Sequence, residues 1–167
     1  RVDLGTMFTR IADGNQVLVE EPTIVAIEVE EQKMVAAGVE ARDMYGKVPD
    51  NIEVARPLKN GVIADYEITE TLLQYLLQRV SGSMRIFRPR VMISVPYGVT
   101  SVERRAVYEA VMEAGSREAY LIQQPLAAAI GIDLPINSPS GNMIICLGGG
   151  CTEAAVMAMY GIVAADT

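Results

Sequence analysis

A chain of 167 residues, half of them hydrophobic, is long enough for one compact domain with a sizeable core and short for two. Its 14 Lys and Arg stand against 21 Asp and Glu, and the net charge of -7 argues against nucleic acid or any other partner held mainly by neutralising a phosphate backbone. There is no histidine, so the commonest general base and the commonest metal ligand are missing, and any chemistry rests on carboxylates, amides and hydroxyls.

In chain order, Val2-Asp3-Leu4-Gly5 is the tail of an opening strand that begins mid-pattern, and the sequence reads as part of a longer chain. Asp13-Gly14-Asn15 supplies a turn. Gln16 to Glu20, Thr23 to Glu28 and Met34 to Ala37 are β-rich runs, which predicts a strand meander. Val39 to Tyr45 predicts a short helix ending at Gly46, followed by a stretch broken at Pro49, Asp50-Asn51 and Pro57 that reads as a small, loosely organised insertion. From Thr69 onward, Leu72, Leu73, Leu76, Leu77 and Val80 form a helical stripe that ends before Gly82.

Arg90 to Pro96 is a nearly continuous apolar run stopped by proline, the pattern of a strand covered on both faces in a parallel sheet. Thr100-Ser101-Val102-Glu103 is a capping box, and the helix it opens carries Val102, Ala106, Val107, Ala110, Val111 and Ala114 before stopping at Gly115. Tyr120 to Ile122 is a further strand. Pro125 to Ile130 is a helix, with proline where a missing N–H costs little and Gly131 just past the end. Alternating strands and helices predict an α/β sheet of mixed type, with strands around Leu4, Leu18, Val25, Ile93 and Leu121 and the Leu72 and Val107 helices packed on it. After the polar link Asp133 to Gly141, Asn142 to Leu147 runs into Gly148-Gly149-Gly150. Ala154 to Met159 and Ile162 to Ala164 then read as a hairpin about Tyr160-Gly161.

Cys146 and Cys151 flank that glycine run without the second ligand pair a zinc site needs, and read as two small buried side chains. No stretch approaches the roughly 20 apolar residues of a membrane span, and the start lacks a signal peptide's pattern, which predicts a cytoplasmic protein.

Two turns carry the chemistry: Asp3-Leu4-Gly5-Thr6, and Leu147-Gly148-Gly149-Gly150-Cys151-Thr152-Glu153. Each is a strand end followed by glycine and a hydroxyl residue, which lets backbone N–H groups close on phosphate oxygens without interference from Cβ. Taken alone, the triple glycine is explained more simply by a plain tight hairpin, Asp3 has the alternative of capping a turn, and Gln124 that of a residue beside a helix start.

Together with Arg56 to Tyr66, Pro96 to Ala106 and Tyr120 to Gly131, the pair of turns resembles the phosphate loops of the actin, sugar-kinase and chaperone ATPase superfamily, and most closely MreB-type bacterial actin-like proteins, over nearly the whole chain. The resemblance implies an α/β, actin-like ATPase (ribonuclease H-like) lobe with a mixed sheet and flanking helices. Residues 1–30 and 57–140 would form its core, 31–56 a small inserted subdomain, and 141–167 the start of a truncated second lobe. It implies ATP as ligand with Mg2+ held through waters by Asp3. Gly5 and Thr6 would form the first phosphate loop, Gly148, Gly149, Gly150 and Thr152 the second, and Gln124 would stand where the attacking water is oriented.

Four departures fall in this site. The family usually has aspartate in place of Cys146, asparagine in place of Phe8, threonine in place of Cys151 and glutamate in place of Gln124, which puts ATP hydrolysis in question. The implied function is a self-assembling, filament-forming cytoskeletal protein that organises cell-wall synthesis along the inner membrane surface and sets rod shape. Two alternatives stay open: a metabolic kinase of the same superfold, and a nucleotide-binding scaffold without turnover.

Overall fold

The computed structural model describes residues 1–81 and 88–167. Its main sheet has five strands in the order β10-β9-β1-β2-β3, built from β1 (Val2–Leu4), β2 (Phe8–Asp13), β3 (Gln16–Pro22), β9 (Arg90–Val95) and β10 (Glu118–Gln123). The first three strands form an antiparallel meander, while β1, β9 and β10 run parallel, so the sheet is mixed as the pattern predicts.

The main-sheet strand missing from the sequence reading is β2. Only Thr9 and Ile11 of Phe8-Thr-Arg-Ile-Ala-Asp13 turn inward, and the inward threonine shares a buried hydrogen bond of 2.8 Å with Thr23, so apolar alternation barely shows. Val25 belongs to a different sheet from the one expected. β4 (Val25–Glu28) pairs with β5 (Lys33–Ala37) and with β6 (Ile52–Ala55), and α1 (Val39–Met44) packs on that three-stranded sheet. The loosely organised insertion therefore contains a sheet of its own. β4 serves two cores: Val25 and Ile27 join the main one, while Ile24 and Ala26 meet Ala41 and Met44.

A two-stranded hairpin, β7 (Leu58–Lys59) and β8 (Val62–Ile63), leads into α2 (Tyr66–Ser81). That helix begins three residues before the apolar stripe because the Asp65 carboxylate accepts the Ile68 N–H at 3.1 Å, an N-cap. Its expected end before Gly82 coincides with the last described residue of this segment, and Gly82 lies outside the described residues. α3 (Ser101–Glu113) starts at the expected capping box: Thr100 Oγ1 accepts the Glu103 N–H at 3.2 Å and Glu103 accepts the Thr100 N–H at 2.7 Å.

Leu72, Leu73 and Leu76 of α2 and Val107, Ala110 and Val111 of α3 close over Val2, Leu4, Val91, Ile93 and Val95 to make the main core. Burying each of these leucine, isoleucine and valine side chains contributes about 1.5–3 kcal/mol before the cost of ordering it. α4 (Gln124–Gly131) follows β10 directly and packs with Leu126 and Ala129 on a separate antiparallel sheet of order β11-β12-β13: β11 (Asn142–Leu147), β12 (Thr152–Ala158) and β13 (Gly161–Asp166). Among the described residues no helix is long and apolar enough to cross a membrane.

Candidate functional site

Because β1, β9 and β10 are parallel and in register, Leu4, Val95 and Gln123 end level with one another. The turns that follow gather at the carboxyl edge of the sheet, the usual place for a ligand in an open α/β fold. There Gly5 begins the first glycine turn, Pro96-Tyr97-Gly98 leads to α3, and Gln124 opens α4.

The second glycine turn is brought against the first. A Cβ on Gly149 would stand 1.9 Å from Met7 Cγ and 2.8 Å from Met7 Cβ, and one on Gly150 would stand 2.8 Å from Thr6 Cβ. Each turn is closed by its own glycine bond, Gly5 N–H to the Phe8 carbonyl at 3.1 Å and Gly148 N–H to the Cys151 carbonyl at 2.9 Å. Among the described residues the N–H groups of Thr6, Met7, Gly149 and Gly150 donate to no protein acceptor. Four uncommitted donors in two facing turns are a fit for an anion such as a polyphosphate.

Thr6 also accepts the Gly61 N–H on its hydroxyl at 2.9 Å, fixing the β7–β8 turn to the first loop. Arg56, one of the residues the sequence reading gave no role, donates to the carbonyls of Thr6, Met7 and Thr23 at 3.2, 3.4 and 3.0 Å. A planar fork that gathers three carbonyls holds the loop's backbone where a point charge would not.

Asp3 lies on the sheet face opposite the core. Its Oδ1 accepts from Ser94 at 2.8 Å, and its Oδ2 is 3.7 Å from Arg10. Its half-exposed carboxylate suits a hydrated Mg2+ carried by phosphate, and among the described residues no cluster of three His, Cys, Asp or Glu side chains could hold a metal ion directly. Cys146 is half-buried and close enough to Asp3 for that charge to act on it. Burial first, then the carboxylates of Glu153 and Asp3, push its thiol above the ordinary range. Cys151 is raised by burial and by Glu153 in the same way, and both thiols are free and neutral at physiological pH.

Glu153 is the residue of the second turn whose part the sequence left unread. Its side chain is 1 % exposed, and its Oε1 accepts the Tyr97 N–H at 2.5 Å. Burial raises its pKa and the hydrogen bond from Tyr97 opposes the rise. The signal was a lone acid in the inward register of an otherwise apolar strand, with Ala155 and Met157 on the same face. By this bond the second turn is tied to the strand-to-helix turn of the main sheet. Phe8 begins β2 at the rim, with the Arg10 guanidinium 5.6 Å above its ring. Thr152 begins β12 opposite Leu147, and the Gln124 side chain makes no hydrogen bond among the described residues.

A mixed sheet flanked by helices, with two glycine turns apposed at its carboxyl edge and a carboxylate beside them, defines the first lobe of an actin-like fold. The profile described as MreB/Mbl protein matches residues 1–167, and the chain belongs to that family. It is 46% identical over 169 residues to the cell shape-determining protein MreB of Pasteurella multocida, covering 97% of this chain and 48% of the relative. To the cell shape-determining protein Mbl of Bacillus subtilis it is 41% identical over 99% of this chain and 50% of the relative. The chain thus spans about half the length of the curated relatives it matches. Among solved structures it is similar to MreB5 of Spiroplasma citri bound to ADP, with a TM-score of 0.87 and 32% identity over 99% of this chain and 50% of that one, and equally to the same protein bound to AMPPNP. A MamK double helical filament matches with a TM-score of 0.76 at 21% identity, covering 97% of this chain and 50% of that one, a likeness of fold alone.

Proposed function

We propose that the full-length protein is a filament-forming, actin-like cytoskeletal protein of the cytoplasm, which binds ATP with Mg2+ between two lobes and organises cell-wall synthesis along the inner membrane surface. The observation that supports it most is the pair of apposed glycine turns with four uncommitted N–H donors. The MreB5 relative bound to ADP and to AMPPNP, and the cell shape-determining relatives, point the same way. Residues 1–30 and 57–140 serve as the first-lobe core, 31–56 as an inserted subdomain and 141–167 as the opening of the second lobe, with β4 shared between the two first-lobe cores. In this reading Gly5, Thr6, Gly148, Gly149, Gly150 and Thr152 line the phosphates and Asp3 holds the metal's waters. Nucleotide-dependent sedimentation of the full-length protein, with filaments seen by electron microscopy, tests it. Equal sedimentation with and without MgATP, in the absence of any nucleotide-induced rise in melting temperature, would overturn it.

A scaffold that binds without turnover is the second reading, and it is favoured by Cys146. A neutral thiol beside Asp3 supplies no charge to hold a hydrated metal, and Gln124 is a poor acceptor for an attacking water. Cys146→Asp with Gln124→Glu is expected to raise phosphate release from MgATP by ~100-fold or more under matched filament conditions, the usual scale for one well-placed electrostatic contact. A double variant no faster than wild type places the limit elsewhere.

A further inference from the structure

Four strands of the main sheet carry a polar line across the face that Asp3 shares with the glycine turns. Glu20 of β3 stands opposite Arg10 of β2, Arg10 opposite Asp3 of β1, and Asp3 beside Ser94 of β9. Within it, Arg10 Nε donates to Glu20 Oε2 at 3.0 Å, whereas Arg10 Nη1 stands 3.7 Å from Asp3 Oδ2, beyond hydrogen-bond reach. The Nη edge of the guanidinium therefore has no protein acceptor among the described residues. Phe8 supports the guanidinium from its ring face, 5.6 Å from centroid to Cζ, and Glu20 holds it from behind. What results is a forked donor aimed beside Asp3, two residues before the first glycine turn, in the place where a bound polyphosphate would need positive charge.

We propose that Arg10 is a phosphate-binding residue that shares the charge-neutralising work of the divalent cation, so that this protein holds nucleotide with a reduced dependence on Mg2+. The proposal rests on the nucleotide-binding reading above and deepens it. Two consequences follow from the geometry. Without a divalent ion, Arg10 offers the phosphates Nη donors that have no protein acceptor among the described residues, whereas Arg56 is spent on the Thr6, Met7 and Thr23 carbonyls, and the loss of Arg10 is felt in full. With the ion present, the loss is partly offset, because Asp3 no longer faces a guanidinium and receives the metal's waters more readily. Glu20 acts in the opposite sense, since it draws Arg10 away from the phosphates.

The test is calorimetric titration of the full-length protein with ADP, in Mg2+ and in EDTA, for wild type, Arg10→Met, Arg10→Lys and Glu20→Gln, with melting curves to confirm folding. In EDTA, Arg10→Met is expected to weaken binding about tenfold or more, the scale of one charge-assisted pair, and in Mg2+ distinctly less. Arg10→Lys should recover part of the loss, and Glu20→Gln should bind more tightly than wild type in EDTA, a gain that a merely structural ion pair would not give. Equal loss with and without Mg2+, or Glu20→Gln no tighter than wild type, overturns the role of Arg10 and leaves nucleotide binding standing. Absence of wild-type binding in both buffers overturns nucleotide binding itself, and this inference with it.

Discussion

At Gly150 a methyl group would enter the space that Thr6 Cβ and Cγ2 occupy, and at Gly149 it would strike Met7. Neither contact is with the far end of a flexible chain, so the turns must part. Gly150→Ala is expected to destabilise the fold by about 1–3 kcal/mol. It should also weaken nucleotide binding at least about tenfold, read by denaturant unfolding and calorimetry side by side. A variant with wild-type affinity would show that the apposition is not what binds. Glu153 gives a prediction in pH. Its raised pKa means that the folded state holds the proton more tightly than the unfolded chain does, so stability falls as pH rises through the interval from the ordinary value to the raised one, and stays lower above it. Glu153→Gln keeps an acceptor for the Tyr97 N–H and removes the buried charge. Its melting temperature should exceed that of wild type at neutral pH, with the gap closing toward the ordinary glutamate pKa of about 4.3. A gap that is constant with pH would mean that Glu153 does not titrate in this interval. The glycines could be found from sequence because φ, ψ and closeness to another backbone limit the residue type directly. Arg56 and Glu153 could not, because their partners are backbone groups 33 to 56 residues away, and nothing in local sequence marks an acceptor that only the fold delivers.

The hairpin between β12 and β13 turns one residue earlier than the sequence suggests, on Met159-Tyr160 rather than Tyr160-Gly161. Both residues have positive φ, 50° and 65°, the geometry of a two-residue type I′ turn that asparagine and glycine adopt far more easily. What holds them is tertiary: Met159 N–H donates to Ser138 and Tyr160 N–H to Ile136. Replacing the pair by Asn-Gly should therefore stabilise the fold by about 1–2 kcal/mol, measured by urea unfolding. A loss would show that the Met159 and Tyr160 side chains matter more than the backbone. Helices were the easier elements to read, since α3 declares itself through a capping box and α2 through its leucine stripe, each a local signal with a local cause. Strands depend on partners. β2 shows a weak pattern because its inward threonine is satisfied by another threonine, and β6 lay hidden in a run of turn residues because its pairing with β4 spans more than twenty residues of chain.

As a whole, the described part presents one complete core and one sheet that is apolar on both faces. Inward from β11 and β12 point Ile144, Ala155 and Met157 toward α4, while Met143, Ile145 and Leu147 are exposed on the other side. The chain spans about half the length of its relatives, and on the proposed function residues 1–167 alone would offer phosphate contacts without a full nucleoside pocket. Their affinity for MgATP is expected to be millimolar or weaker, against a much tighter full-length protein, in parallel calorimetric titrations. Submicromolar binding by residues 1–167 alone would show that the first lobe suffices. The same two-faced sheet has a consequence for folding. An ordinary half-buried strand advertises which side belongs inside by alternating polar and apolar residues, but the Asn142–Leu147 strand has apolar residues on both sides, and its turn fixes the pairing of the ribbon without deciding which way up it lies. Upside down, the ribbon would strand the Glu153 carboxylate in water, away from the Tyr97 N–H, and part the Met159 and Tyr160 N–H groups from the Ser138 and Ile136 carbonyls. The bonds of Glu153, Met159 and Tyr160 thus orient a whole sheet that its apolar pattern leaves undecided, and an apolar residue at 153 would weaken that choice.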